Sequence, residues 1–178
     1  MAAAPSVRAT SPAPDRTPAA ARQPVRRRAL LAAALLALLL PPWAAPKALA
    51  PDELSIVTPG GALHFTVELA STPGERERGL MYRRGMQPDH GMLFDFQTEQ
   101  RVAFWMRNTP LPLDILFIDN AGTIVQVTPD AVPYSETLIP SAQPVRAVLE
   151  LNAGTAKRLG IVPGARVEHP IFAAAPSP

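Results

Sequence analysis

The sequence predicts an α+β domain, predominantly β: a curled antiparallel sheet or small barrel with two short helices. Three observations carry this. Short apolar stretches recur along residues 54–170, and turn residues separate them. Two short segments have helix caps. No internal repeat offers another architecture.

Leu63-His64-Phe65-Thr66-Val67-Glu68-Leu69 alternates apolar and polar, as a half-buried strand does. Thr72-Pro73-Gly74-Glu75 then starts a helix: Thr72 caps, Pro73 suits the first helical position and Glu75 completes a capping box. The helix is expected to run through Arg76 to about Tyr82, with Leu80 and Met81 as its apolar contribution and Gly85 as its stop. Gly91–Phe96 and Val102–Met106 read as two strands joined by the polar Gln97-Thr98-Glu99-Gln100. Ile115-Leu116-Phe117-Ile118 is apolar on both faces and suits a central, covered strand. Asp119-Asn120-Ala121-Gly122 turns the chain into a returning strand, Thr123–Val127. Residues 128–144 read as a long proline-rich loop, with Tyr134 its only aromatic. Val145–Leu151 is a further strand. Asn152 is positioned to cap a helix over Ala153–Leu159, Gly160 stops it, and Ala165–His169 is a last short strand.

Composition divides the chain near residue 50. Residues 1–50 hold seven basic residues and one acidic; residues 51–178 hold ten basic and fourteen acidic. The basic pI of about 9.5 therefore belongs to the leader, and it gives no argument for a nucleic-acid-binding domain. Residues 1–25 are rich in Ala, Pro, Arg and Ser and read as a disordered extension. Residues 26–50 have the parts of a secretory signal: Arg26-Arg27-Arg28, an eleven-residue Leu/Ala run from Leu30 to Leu40, and Ala48-Leu49-Ala50 as a cleavage candidate. The apolar run covers roughly 16 Å as a helix, against about 30 Å of hydrocarbon core, so it is too short for an ordinary span. Pro51 after Ala50 leaves two outcomes open, a cleaved signal or a retained anchor, and the paired arginines leave Sec and twin-arginine export both open. Either route places the domain outside the cytoplasm, in the periplasm or cell envelope of a bacterium. Residues 54–170 form the single folded domain and 171–178 a loose tail. There is no cysteine, which removes disulfides, thiolate metal sites and cysteine nucleophiles.

Several motifs occur in a fixed order: Arg78-Gly79-Leu80-Met81, Gly91-Met92-Leu93-Phe94, Phe104-Trp105-Met106-Arg107-Asn108-Thr109, Pro112-Leu113-Asp114, Phe117-Ile118-Asp119 and Val148-Leu149-Glu150-Leu151-Asn152-Ala153-Gly154. On these the chain resembles the DUF192 family, also called uncharacterised protein family 0127, over about residues 60–168. The resemblance implies a compact, mostly β fold and a protein that is often exported. It implies no established reaction. Arg107 stands where a lysine is common in that family.

The stretch from Trp105 to Asp114 is the most informative for function. Pro110 and Pro112 stiffen the turn that follows Asn108 and Thr109. The functional reading is a small polar cleft: Trp105 its apolar wall, Arg107 or Arg78 its cation, and Asn108, Thr109 and Asp114 its polar groups. The architectural alternative has Asn108 and Thr109 satisfying the turn, Asp114 pairing with Arg78 and Trp105 packing. Met81, Met86, Met92 and Met106 with His90 suggest a Cu(I) site, against the ordinary use of methionine in cores. His64, His90 and His169 lack ligand spacing, and no G-x-S-x-G or glycine-rich phosphate loop is present. Paired aspartates, Asp95, Asp114 or Asp119, are the remaining route to hydrolysis. The reading that follows is a non-catalytic exported binding module for a small molecule, a glycan or an envelope protein. It needs no cofactor or metal, has no nucleic-acid partner and touches the membrane only through an uncleaved N-terminal segment. A hydrolase using paired aspartates and a periplasmic copper-handling protein are the alternatives.

Overall fold

A computed structural model describes residues 49–173. The leader extension (1–25), the signal segment (26–50) up to residue 48 and the tail (171–178) from residue 174 on lie outside the described residues; the first residues of that tail belong to a 3-10 turn, Pro170–Phe172, with Ile171 and Phe172 packed against the core.

Among the described residues, nine strands and two α-helices follow one another as β1 (Glu53–Thr58), β2 (Gly61–Ala70), α1 (Pro73–Arg78), β3 (His90–Gln100), β4 (Ala103–Phe104), β5 (Leu113–Ile118), β6 (Ile124–Ala131), β7 (Ile139–Pro140), β8 (Val145–Asn152), α2 (Thr155–Leu159) and β9 (Arg166–Glu168). Seven strands form one sheet in the order β6-β5-β8-β3-β2-β1-β9, while β4 and β7 pair separately. This is the predominantly β, α+β fold expected. Every pairing is antiparallel except β2 with β3, which run parallel from Thr66/His90 to Ala70/Phe94. Parallel neighbours need a crossover, and residues 71–89 supply it, carrying α1.

The sheet curls until its two edges meet. Val167 N–H donates to Gly122 O at 2.7 Å, Ile124 N–H to Ala165 O at 2.9 Å and Gly164 N–H to Ile124 O at 2.8 Å. Gly122 is required at this seam. Its φ is +82°, and a Cβ there would stand 2.6 Å from Val167 O. Gly122→Ala is therefore expected to open the seam and lower stability by about 2 kcal/mol, with amide exchange accelerated first at Ile124 and Val167. Unchanged exchange there would show that the seam does not need glycine.

Closure divides the apolar residues into two cores. Inside the curl lie Leu54, Ile56, Phe65, Val67, Leu93, Leu116, Leu149 and Leu151, with Ala156 of α2. On the outer face of β3, β5 and β8 lie Met92, Phe94, Ile115, Phe117 and Val148, covered by Leu80, Met106 and Phe104. All six residues of β5 are buried, as its two-sided apolarity predicts.

Several expected elements differ. The expected strand Val102–Met106 contracts to Ala103–Phe104, which pairs with Ile139–Pro140. Pro140 tolerates that place because the ladder is short and lies outside the main sheet. The expected long loop 128–144 therefore holds the end of β6 and all of β7. The first strand, Glu53–Thr58, was not anticipated. The capping box on α1 is present, but the helix ends at Arg78 because Gly79 (φ 46°, ψ −137°) leaves helical space. Asn152 does not cap α2; Gly154 does, and the Asn152 amide donates to the carbonyls of Met86 and Gln87 at 3.3 and 2.9 Å.

Candidate functional site

The outer core is not fully covered. Between α1 and the segment from Ala103 to Thr109 lies an open cavity of about 350 Å³, lined mainly by apolar groups that include Leu80, Phe94, Phe96, Phe104 and Trp105. A second hollow of about 490 Å³ adjoins it through shared residues Glu77, Arg78, Met81 and Trp105, and adds Arg107 and Asn108.

Sequence and geometry build the cavity wall from both sides. Phe104 is the pivot of an edge-to-face cluster, with ring centroids 5.0 Å from Phe94, 6.4 Å from Phe96 and 6.3 Å from Phe117. Such pairs add specific geometry to the burial they share. On the other side, the glycine after α1 lets the backbone lie directly on Phe94, since a Cβ on Gly79 would come within 3.2 Å of that ring. The Arg76 guanidinium donates to Asp95 O at 2.9 Å and to Ser71 O, and lies 5.2 Å from the Phe96 ring centre. Arg76 is thus engaged in holding α1 to the sheet. Arg78 is exposed and has no ion pair among the described residues.

Three non-glycine residues around this region hold left-handed backbone: Tyr82 (φ 64°), Asn108 (φ 56°) and Tyr134 (φ 60°). They belong to one hydrogen-bonded knot. Tyr82 N–H donates to Asn108 O at 2.7 Å, Tyr134 N–H to Thr109 O at 3.2 Å and Met106 N–H to Ser135 O at 2.8 Å. Such conformations cost about 1 kcal/mol each and gather at functional sites. Tyr82, Trp105, Tyr134 and Leu138 are exposed.

The structure brings together five of the six residues singled out in the sequence. Arg78 and Trp105 line both hollows, Thr109 the first, and Arg107 and Asn108 the second. Trp105 is 41% exposed, and the Arg107 guanidinium lies 5.2 Å from its ring centre while also pairing with Glu136 at 3.4 Å. Thr109 is buried and its hydroxyl donates to Arg107 O at 3.2 Å. Asn108 contributes one long contact, to the Met81 sulfur at 3.9 Å.

Asp114 is the correction. It lines neither hollow and does not pair with Arg78. It faces into the curl at 0% exposure and accepts from Asp130 N–H at 3.0 Å, Gly154 N–H at 3.1 Å and Ala156 N–H at 2.8 Å. Strand alternation explains this: Leu113 and Ile115 take the outer face, so Asp114 takes the inner. The other two aspartates are engaged as well. Asp95 accepts from Gln97 N–H and pairs with Arg146 at 3.0 Å; Asp119 accepts from Ala121 and Thr123 N–H. Met92 and Met106 pack in the outer core, and His90 contacts Asp89 at 2.8 Å.

One residue at the site was not singled out. Glu150 lines the first cavity, is 5% exposed and has no hydrogen-bond or ionic partner among the described residues. Its strand neighbours in register are Met92 and Ile115, both buried. Burial pushes its carboxyl up to about 8, because apolar neighbours strip most of the water from the ionised form and no protein donor replaces it. A signal was present in Val148-Leu149-Glu150-Leu151: Glu150 shares a face with Val148 in a strand apolar on both faces.

The family model DUF192, described as an uncharacterised ACR, matches residues 55–169. A crystal structure from Sinorhizobium meliloti 1021, described as a candidate transcription regulator, is 54% identical, with a TM-score of 0.67 over 70% of this chain and 97% of that one. A protein of unknown function from Novosphingobium aromaticivorans DSM 12444 is 42% identical, with a TM-score of 0.64 over 65% of this chain and 83% of that one. No curated protein matches the chain.

Proposed function

The chain belongs to the DUF192 family, and we propose that this member is an exported, non-catalytic binding module that takes a small molecule into the cavity between α1 and the Ala103–Thr109 segment. The observation that carries the reading is the cavity itself: about 350 Å³, open to solvent, walled by Phe94, Phe104 and Trp105, with Arg78 at its edge. Ligand sites combine an apolar wall with a few polar groups in this way. The engagement of Asp95, Asp114 and Asp119 in internal contacts supports binding over hydrolysis by paired aspartates. Export rests on the leader: the arginine triplet, the short Leu/Ala run and the Ala-x-Ala site. A regulator's role on DNA, suggested by the Sinorhizobium protein's description, does not suit residues 51–178, where fourteen acidic residues outnumber ten basic ones.

Screening the full chain against monocyclic aromatic fragments by two-dimensional NMR tests the reading. Binding fragments are expected to move the Gly79 amide and Trp105 indole signals, without turnover. Trp105→Ala is expected to weaken them at least tenfold, while its half-exposed position keeps the stability change within about 1 kcal/mol. Fragments that bind elsewhere, or that bind the alanine variant equally well, would refute the site.

A further inference from the structure

The unpartnered acid in the cavity wall narrows the ligand. We propose that Glu150 recognises a cationic nitrogen, so that the cavity takes a small molecule with a protonated amine carried on an apolar body. The inference rests on the reading of the cavity as a ligand site and adds to it a chemical class.

Three features of the structure point to an amine. The first is the acid's isolation: Glu150 is 5% exposed, lines the cavity and has no partner among the described residues. A buried carboxyl left without a partner is costly, and an ammonium supplies both charge and donors. The second is the wall. Phe94, Phe96, Phe104 and Trp105 surround the same space, and aromatic faces attract cations and disfavour anions and carbonyl oxygens. The third is the disposition of the other charges. The charged groups lining the cavity beside Glu150 are Arg76, Glu77 and Arg78, all from α1. Arg76 is engaged with Ser71 O, Asp95 O and the Phe96 ring. Glu77 and Arg78 are exposed and opposite in sign. No guanidinium pairs with Glu150 among the described residues, so the position opposite it is left to a ligand.

The binding step moves one proton. At pH 7 Glu150 is held largely neutral by burial. An ammonium seated against it draws the carboxyl to its ionised form, and the released proton passes to solvent and buffer.

The test compares three isosteric probes on the full chain by calorimetry: 2-phenylethylammonium, 2-phenylethanol and phenylacetate. The ammonium is expected to bind at least tenfold more tightly than the other two. Its apparent heat at pH 7 is expected to vary with the buffer's ionisation enthalpy, reporting release of up to one proton. Glu150→Gln is expected to lose the preference for ammonium and the proton release while still binding the alcohol. If alcohol and ammonium bind alike, or if the Gln variant keeps the preference, the amine inference fails and the cavity reading stands. If no probe binds, and the aromatic fragments also leave the Gly79 and Trp105 signals unmoved, both fail together.

Discussion

Glu150→Gln is expected to stabilise the folded protein by about 3 kcal/mol at pH 7, even though it removes a group from the candidate site. In the unfolded chain this carboxyl ionises near 4.5, whereas burial among apolar neighbours holds the folded one at about 8. Between those values the folded state retains a proton that the unfolded state has released. The stability contributed by the neutral acid is therefore fully present below pH 4.5 and is lost as pH rises towards about 8. Each pH unit in that window changes the balance by about 1.4 kcal/mol. Glutamine matches the neutral acid in shape and does not titrate. Urea unfolding of the two proteins is thus expected to give similar midpoints near pH 4.5 and a gap that widens through pH 7. Parallel pH profiles would show that the Glu150 carboxyl ionises normally and that its burial has little electrostatic consequence. A destabilising acid maintained in the wall of a cavity is the pattern expected where function opposes stability.

Asp114→Ala is expected to lower stability by about 4 kcal/mol. The carboxylate joins two backbone segments through three donors: Asp130 at the end of β6, and Gly154 and Ala156 at the start of α2. Truncation leaves these donors without their acceptor in a site closed to solvent. Asparagine retains one acceptor oxygen but turns an N–H₂ towards a donor, so Asp114→Asn is expected to fall between alanine and wild type. Chemical denaturation ranks the three proteins. Because Asp114 faces away from the aromatic cavity, fragment affinity at a permissive temperature is expected to be unchanged in both variants. A loss of affinity at constant stability would return Asp114 to the binding site.

The sequence shows faces better than it shows neighbours. Two-sided apolarity identified Ile115–Ile118 as central, and it lies between β6 and β8. The Thr72/Glu75 pair identified the start of α1 to the residue, because a capping box is local. Alternation in Leu63–Leu69 identified an inner face but carried no information on which strand lies alongside, so the parallel β2–β3 pairing was not legible. The Val102–Met106 pattern suggested a strand, yet its partner at Ile139–Pro140 lies far along the chain in a proline-rich segment. The site followed the same division. The Trp105–Thr109 motif was legible because its residue types are unusual together. Glu150 was not singled out, since one acid within an apolar strand reveals its importance only when its surroundings are known. Asp114 was placed in the cleft by proximity in sequence, whereas the pleat of β5 turns it the other way.

The parallel pairing of β2 with β3 has a consequence for how this architecture diversifies. An antiparallel return is readily shortened to a tight hairpin, but a same-direction return must always carry chain from one end of the strands back to the other. Residues 71–89 therefore cannot be cut to a tight turn without undoing the β2–β3 pairing. They are pinned at the start by the Thr72 cap and further along by the Arg83–Glu68 ion pair, with one contact at 2.7 Å. Between those pins sit Glu77, Arg78 and Met81, which form one wall of the cavity. If the cavity binds a ligand as proposed, side-chain changes in this segment are expected to alter its selectivity without disturbing the strand register beneath, since the wall and the sheet are separate stretches of chain.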